Sequence, residues 1–260
     1  MKNKIFKTLT LVLLISLLCT TLTGCKIQLS EDEYTVGEIP KGCYRLVYYI
    51  VNEDQNIDGD LTFKYVTDGN ITKMQSYAEF DMWQYRAQVI FDTDTLIPSS
   101  SYKSNVFYSG KEKDWSVKTD YTKEKATIKA IQEDKQADKE VAKPARYLDN
   151  EMINLTLGLI QIEQDDKVYI NVLVNESAMF APYGVTNQTM ETITVNGKSY
   201  ECVKYSAKYA GFSLFTARES YFWYTNDRDR RLVKFVSGSQ IMTLKEIIEV
   251  PADDPWLFGE

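Results

Sequence analysis

Short runs of alternating apolar and polar residues, each bounded by turn-forming clusters, recur from Tyr44 to Val250 of this chain. Successive side chains of a β-strand point to opposite faces, so such runs commit a chain to half-buried strands and exclude a helical bundle. Leu61-Thr62-Phe63-Lys64-Tyr65-Val66 is the clearest case, and Asp68-Gly69-Asn70 turns it into Ile71–Ala78. The same pattern predicts strands at Tyr44–Val51, Phe80–Phe91, Ser101–Tyr108, Trp115–Tyr121 and Ala126–Ile131. Further strands follow at Lys167–Val174, Met190–Val195, Ser199–Ala207, Arg218–Thr225, Leu232–Ser237 and Ile241–Val250. Asn196-Gly197 joins two alternating runs, where a type I′ turn needs positive φ at both central residues. A composition with 18 Tyr against 12 Gly and 6 Pro agrees, because aromatic rings suit a pleated, half-buried surface.

One helix is expected mid-chain. Asp149 suits an N-cap, Glu151 favours the first turn, and Met152, Leu155, Leu159 and Ile160 recur at helical spacing. Lys111–Lys143 is read as a hairpin to about residue 131, then a solvated charged loop from Gln132 to Lys143.

The N-terminus reads as a processing segment. Lys2, Lys4 and Lys7 precede an apolar run of 11 residues, Thr8 to Leu18. At about 1.5 Å per residue that run is too short to cross a hydrocarbon layer about 30 Å thick. It ends in Leu22-Thr23-Gly24-Cys25, which resembles the bacterial lipobox. That resemblance implies cleavage between Gly24 and Cys25, acylation of Cys25 (diacylglycerol, with palmitate-type chains), and a lipoprotein on the extracytoplasmic face of the cell membrane. The expected organisation is a signal peptide (1–24), a lipidated tether (25–40), one β-rich domain (41–250) and a C-terminal tail (251–260). Loss of three lysines and no acid takes the formal charge from −7 to −10, so acyl chains alone would attach the chain to a membrane.

With Cys19 in the leader and Cys25 acylated, Cys43 and Cys202 remain. They are either a disulfide, closing a loop of about 160 residues for roughly 5 kcal/mol, or two separate buried thiols.

The opening strand pair Tyr44–Thr67, the element Phe91-Asp92-Thr93-Asp94-Thr95-Leu96-Ile97-Pro98, the Asp149 helix and Tyr221-Phe222-Trp223-Tyr224-Thr225-Asn226-Asp227…Arg231-Leu232-Val233 together carry a family resemblance. The chain is similar, over about residues 42–250, to exported bacterial proteins of the domain of unknown function 3108. The resemblance implies a mainly β fold, one strongly curved antiparallel sheet forming a barrel or half-barrel with one short mid-chain helix. The charged stretch 132–143 departs from the family pattern.

The chain has no histidine, which removes Ser-His-Asp and Cys-His catalysis and histidine-ligated metals. Its net negative charge argues against nucleic acid as a partner. No phosphate loop, dinucleotide fingerprint or metal motif is present, so no cofactor and no metal are expected. Carboxylate pairs occur at Asp58/Asp60, Asp92/Asp94 and Asp227/Asp229, all in turn-like contexts where Asp bonds its own backbone. Trp83, Tyr85, Phe91, Phe212, Phe215 and Trp223 are candidates to line a concave face, with Tyr221 and Trp223 expected inward. The leading expectation is a non-enzymatic, lipid-anchored envelope protein binding an apolar or amphipathic ligand or an envelope component. The alternatives are a carboxylate- or cation-dependent hydrolase and a purely structural surface module.

Overall fold

The computed structural model describes residues 34–259 apart from 56, 111, 134 and 212–217. The expected leader with Gly24 and Cys25, the first part of the expected tether, and Phe212 and Phe215 therefore lie outside the described residues. No helix among the described residues is long and apolar enough to cross a membrane.

Strands dominate: β1 (Thr35–Val36), β2 (Gly42–Asn52), β3 (Ile57–Asp68), β4 (Ile71–Glu79), β5 (Trp83–Asp92), β6 (Pro98–Phe107), β7 (Trp115–Tyr121), β8 (Lys125–Gln132) and β9 (Lys135–Ala142). Then come β10 (Leu148–Asp149), helix α1 (Ile153–Thr156), β11 (Ile160–Gln161), β12 (Lys167–Val174), β13 (Met179–Val195), β14 (Lys198–Tyr209), β15 (Glu219–Thr225), β16 (Leu232–Ser237) and β17 (Gln240–Glu249). Fifteen of them form one sheet in the order β10-β12-β13-β14-β15-β16-β17-β2-β3-β4-β5-β6-β7-β8-β9, while β1 and β11 pair separately. All its neighbours are antiparallel except β10 with β12.

The sheet curls but does not close through backbone hydrogen bonds. Its two ends overlap instead. The inner face of β7 and β8 (Val117, Ala126, Ile128) packs on Leu173 and Ala178, a second small core in which Phe180 also takes part. The edge strand β10 is thereby buried under the overlap. The opposite edge, β9, is solvated and carries Lys135, Asp138, Lys139 and Glu140, the charge pattern that blunts edge-to-edge pairing.

β9 corrects the expected loop at 132–143. The segment is exposed as expected, yet it pairs with β8 from Lys125↔Ala142 to Gln132↔Lys135. Backbone pairing holds it as a strand, and alternation is missing because neither face is buried.

Asp149 is an N-cap, its carboxylate accepting the Glu151 N–H at 2.9 Å, but the helix is short. A 3-10 turn (Asn150–Met152), the four-residue α1 and another 3-10 turn (Leu157–Leu159) follow one another. This segment crosses the barrel interior against β15. The Tyr224 hydroxyl donates towards the Ile153 and Asn154 carbonyls, at 3.3 Å each, and Gly158 lies flat on the Tyr224 ring. A Cβ on Gly158 would sit 2.5 Å from ring carbons, so only glycine permits the approach. The Asn196-Gly197 turn has φ of 50° and 74°, as a type I′ turn requires.

The C-terminal segment is not a free tail. Asp254 lies between Lys64 (2.7 Å) and Arg45 (2.6 Å), and the Leu257 N–H donates to Gln75 at 3.0 Å. Lys64 and Gln75 point to the outside of β3 and β4 and are nonetheless fully buried, because this segment covers them.

Cys43 and Cys202 are both buried and both free. The disulfide alternative is corrected: β2 and β14 are separated by β15, β16 and β17. Four strand spacings of about 4.8 Å exceed by far the roughly 7 Å a bridge allows between Cα atoms.

Candidate functional site

The main core fills the half of the curled sheet around Leu46, Tyr48, Tyr65, Phe91 and Leu96. Elsewhere a cavity of about 380 Å³ remains between the sheet and the crossing helical segment. Its walls are apolar: Ile50, Leu61, Phe63 and Ala78 from β2–β4, Phe80 and Trp83 beside them, and Val172, Val185, Ala207, Phe222 and Phe235 from the far side. Ile153 and Leu157 form its floor.

One wall is polar. Lys103 on β6 reaches Glu151 at 2.9 Å and also pairs with Glu176, and the Tyr85 hydroxyl donates to Glu151. The Asn150 side-chain amide donates to the other Glu151 oxygen at 3.3 Å. Burial opposes the Lys103 charge, but the Glu151 and Glu176 carboxylates outweigh it and push its pKa up to about 12. Burial and the adjacent Glu151 hold the Tyr85 phenol well above its ordinary value.

Behind this wall lies the polar seam of the overlap. Tyr121 donates to Asp149 at 2.5 Å, Asn175 donates to both Asp149 oxygens at 3.1 Å, and Thr119 donates to Asn175 at 2.9 Å. Burial, then the neighbouring Glu151, raises the Asp149 pKa.

Of the six aromatic candidates, the structure brings Trp83 and Tyr85 to the cavity. Phe91 is fully buried in the filled core and does not reach it. Trp223 is on the opposite face, so the inward expectation for Tyr221 and Trp223 is corrected: Phe222 and Tyr224 point in. Trp223 is buried outside the barrel because the β13–β14 hairpin leans across that face, with Ile193, Val195 and Cys202 around it. The hairpin tip reaches β17, where Asn196 donates to the Lys245 carbonyl at 3.3 Å. Both faces of β15 are thus apolar, which is why alternation alone could not orient it.

Lys103, Glu151, Phe63, Phe80, Phe222 and Phe235 went unnoticed as site residues. The β6 inner face reads Ser101, Lys103 and Asn105, and a strand polar on its inner side imitates one turned the other way.

The three carboxylate pairs are not at the cavity. Asp58 and Asp60 stand on exposed positions of β3, not in a turn, bonded by Tyr49 (2.5 Å) and Lys245 (2.6 Å). Asp92 accepts the N–H of Asp94 and Thr95, and Asp227 those of Asp229 and Arg230, as turn-capping side chains do. No group of metal-ligating side chains occurs among the described residues.

These features define a curled, barrel-like β-protein with an interior apolar cavity walled on one side by an ion pair. The chain belongs to the family "Protein of unknown function (DUF3108)", whose profile matches residues 46–245. No curated protein matches the sequence. Among solved structures it is similar to a beta-barrel-like protein of domain of unknown function DUF1849 from Brucella abortus, at 12% identity and a TM-score of 0.54. That match covers 82% of this chain and 99% of the other, and shows the fold alone. A putative exported protein with a YmcC-like fold from Bacteroides fragilis is similar at 8% identity and a TM-score of 0.29, covering 83% of this chain and 100% of that one.

Proposed function

We propose that this chain is a non-enzymatic, lipid-anchored envelope protein whose barrel interior binds one small apolar or amphipathic ligand. The observation that carries the reading is the apolar cavity of about 380 Å³ between the curled sheet and the helical segment. That volume falls within the range of small-molecule sites, about 300–1,000 Å³, and the lining matches their pattern of apolar walls with a few placed polar groups. The polar groups facing it argue for binding rather than catalysis. Glu151 is the carboxylate on the cavity wall, and it is already neutralised by Lys103 and bonded by Tyr85. Asp149 is turned away into the seam.

The anchor rests on the Leu22-Thr23-Gly24-Cys25 motif and the short apolar run before it. Acylated Cys25 would hold the domain at the extracytoplasmic face of the membrane, within reach of lipid or other envelope amphiphiles.

Native mass spectrometry of the full-length protein after exposure to a lipid extract tests the binding reading. One stoichiometric adduct supports it. A ligand-free spectrum at saturating lipid overturns it.

A further inference from the structure

Resting on that cavity reading, we infer that the ligand is an uncharged single-chain amphiphile whose hydroxyl or carbonyl group sits against Lys103, with its chain along the apolar walls. The hydrogen-bond inventory of the polar wall decides this. A lysine ammonium has three donors; Lys103 commits two of them, to Glu151 and Glu176, and keeps one for a ligand acceptor. On Glu151, Oε1 accepts from Lys103 and from Asn150, and Oε2 accepts from Tyr85. Oε1 is thus fully engaged before any ligand arrives, and Oε2 keeps one lone pair.

The three headgroup charges fare differently here. An ammonium finds a single open lone pair, on Glu151 Oε2, with the Lys103 cation held beside it on the same carboxylate. A carboxylate gains Lys103 but must be buried near Glu151, which is 5% exposed, with Glu176 on the far side of the same lysine. Like charges in a poorly hydrated site repel strongly, and a buried charge without its own partner is costly. A hydroxyl or carbonyl accepts the remaining Lys103 N–H with no new charge to bury. A hydroxyl can in addition donate to a carbonyl or to the Tyr85 oxygen. The rest of the cavity, Phe63, Phe80, Trp83, Phe222 and Phe235, offers apolar surface to a chain.

Dodecanol, dodecanoate and dodecylammonium share one chain and differ in headgroup charge. The full-length protein, incubated with an equimolar mixture of the three and examined by native mass spectrometry, reports the preference directly. Dodecanol adducts are expected to exceed each of the other two by at least tenfold. In Lys103→Met, which removes the donor, that excess should fall to less than threefold. Adducts dominated by dodecanoate or dodecylammonium, or equal occupancy by all three, would overturn the inference and leave the cavity reading standing. No adduct of any probe would remove the cavity reading itself. Should Lys103→Met fail to fold, the wild-type ranking alone still decides the matter.

Discussion

Tyr121 and Asp149 belong to strands that lie far apart in the sheet order, β7 near one end and β10 at the other, yet the tyrosine hydroxyl donates to the carboxylate at 2.5 Å. The curl of the sheet brings them together, and side chains rather than backbone amides join the two ends. Asn175 and Thr119 continue the same seam. Asp149 also caps the helical segment that forms the cavity floor, so one buried carboxylate ties sheet overlap, helix start and cavity together.

Substitution of that carboxylate separates cap from charge. Asp149→Ala removes the cap and leaves the Tyr121 and Asn175 donors buried and unpaired, so a loss of about 3–5 kcal/mol is expected in urea unfolding. Asp149→Asn keeps a capping oxygen and should cost far less. The folded pKa of Asp149 is raised by burial, so its stabilising contribution is complete below its unfolded value of about 3.9 and is lost as pH rises through the folded value. Wild-type stability relative to Asp149→Asn should therefore fall as pH rises from about 4. Parallel pH profiles for the two proteins would contradict the assignment.

Neighbouring residues on β15 should respond differently. Trp223→Ala empties the outer cluster and loses the bond to Glu191 at 2.7 Å, with an expected cost of about 3–5 kcal/mol and no change in ligand uptake. Phe222→Ala should alter both stability and uptake, because its ring lines the cavity. Equal uptake by both variants would place the cavity elsewhere.

The C-terminal segment makes a third test. Ending the chain at Val250 removes Asp254 and uncovers Lys64, whose charge is buried on the outer face of β3. The truncated protein should melt several degrees lower, and Lys64→Met should cost far less in the truncated background, where the ammonium is solvated, than in the full chain, where it strips Asp254 of a partner. A truncation without effect on Tm would show that the docked segment contributes nothing.

Cys25→Ala tests the anchor. Loss of the proposed acylation site should abolish lipid labelling and leave uncleaved precursor. A wild-type chain that takes up no labelled acyl chain in a bacterial host would remove the lipobox reading.

How legible was this molecule in its sequence? Strands whose two faces differ could be placed to the residue: Trp115–Tyr121, Lys167–Val174 and Leu232–Ser237 agree at both ends. β9 could not, because its exposed faces carry no alternation, and the start of β13 was hidden by Pro182 and Gly184. The site was half legible. Trp83 and Tyr85 announce themselves as aromatic residues on an alternating strand. Lys103 and Glu151 do not, since their meeting depends on the overlap of distant strands, which no local pattern encodes. Glu151 was visible as a first-turn acid, and its second role needs the fold.

The most direct measurement of the central claim compares the wild type with Ala207→Leu, which fills the cavity from a wall position where the native side chain is buried. Uptake of dodecanol should be stoichiometric in the wild type and at least tenfold weaker in the variant, with Tm unchanged or raised as the void is filled. Equal uptake by the two proteins would show that ligand binds outside the barrel and would contradict the account.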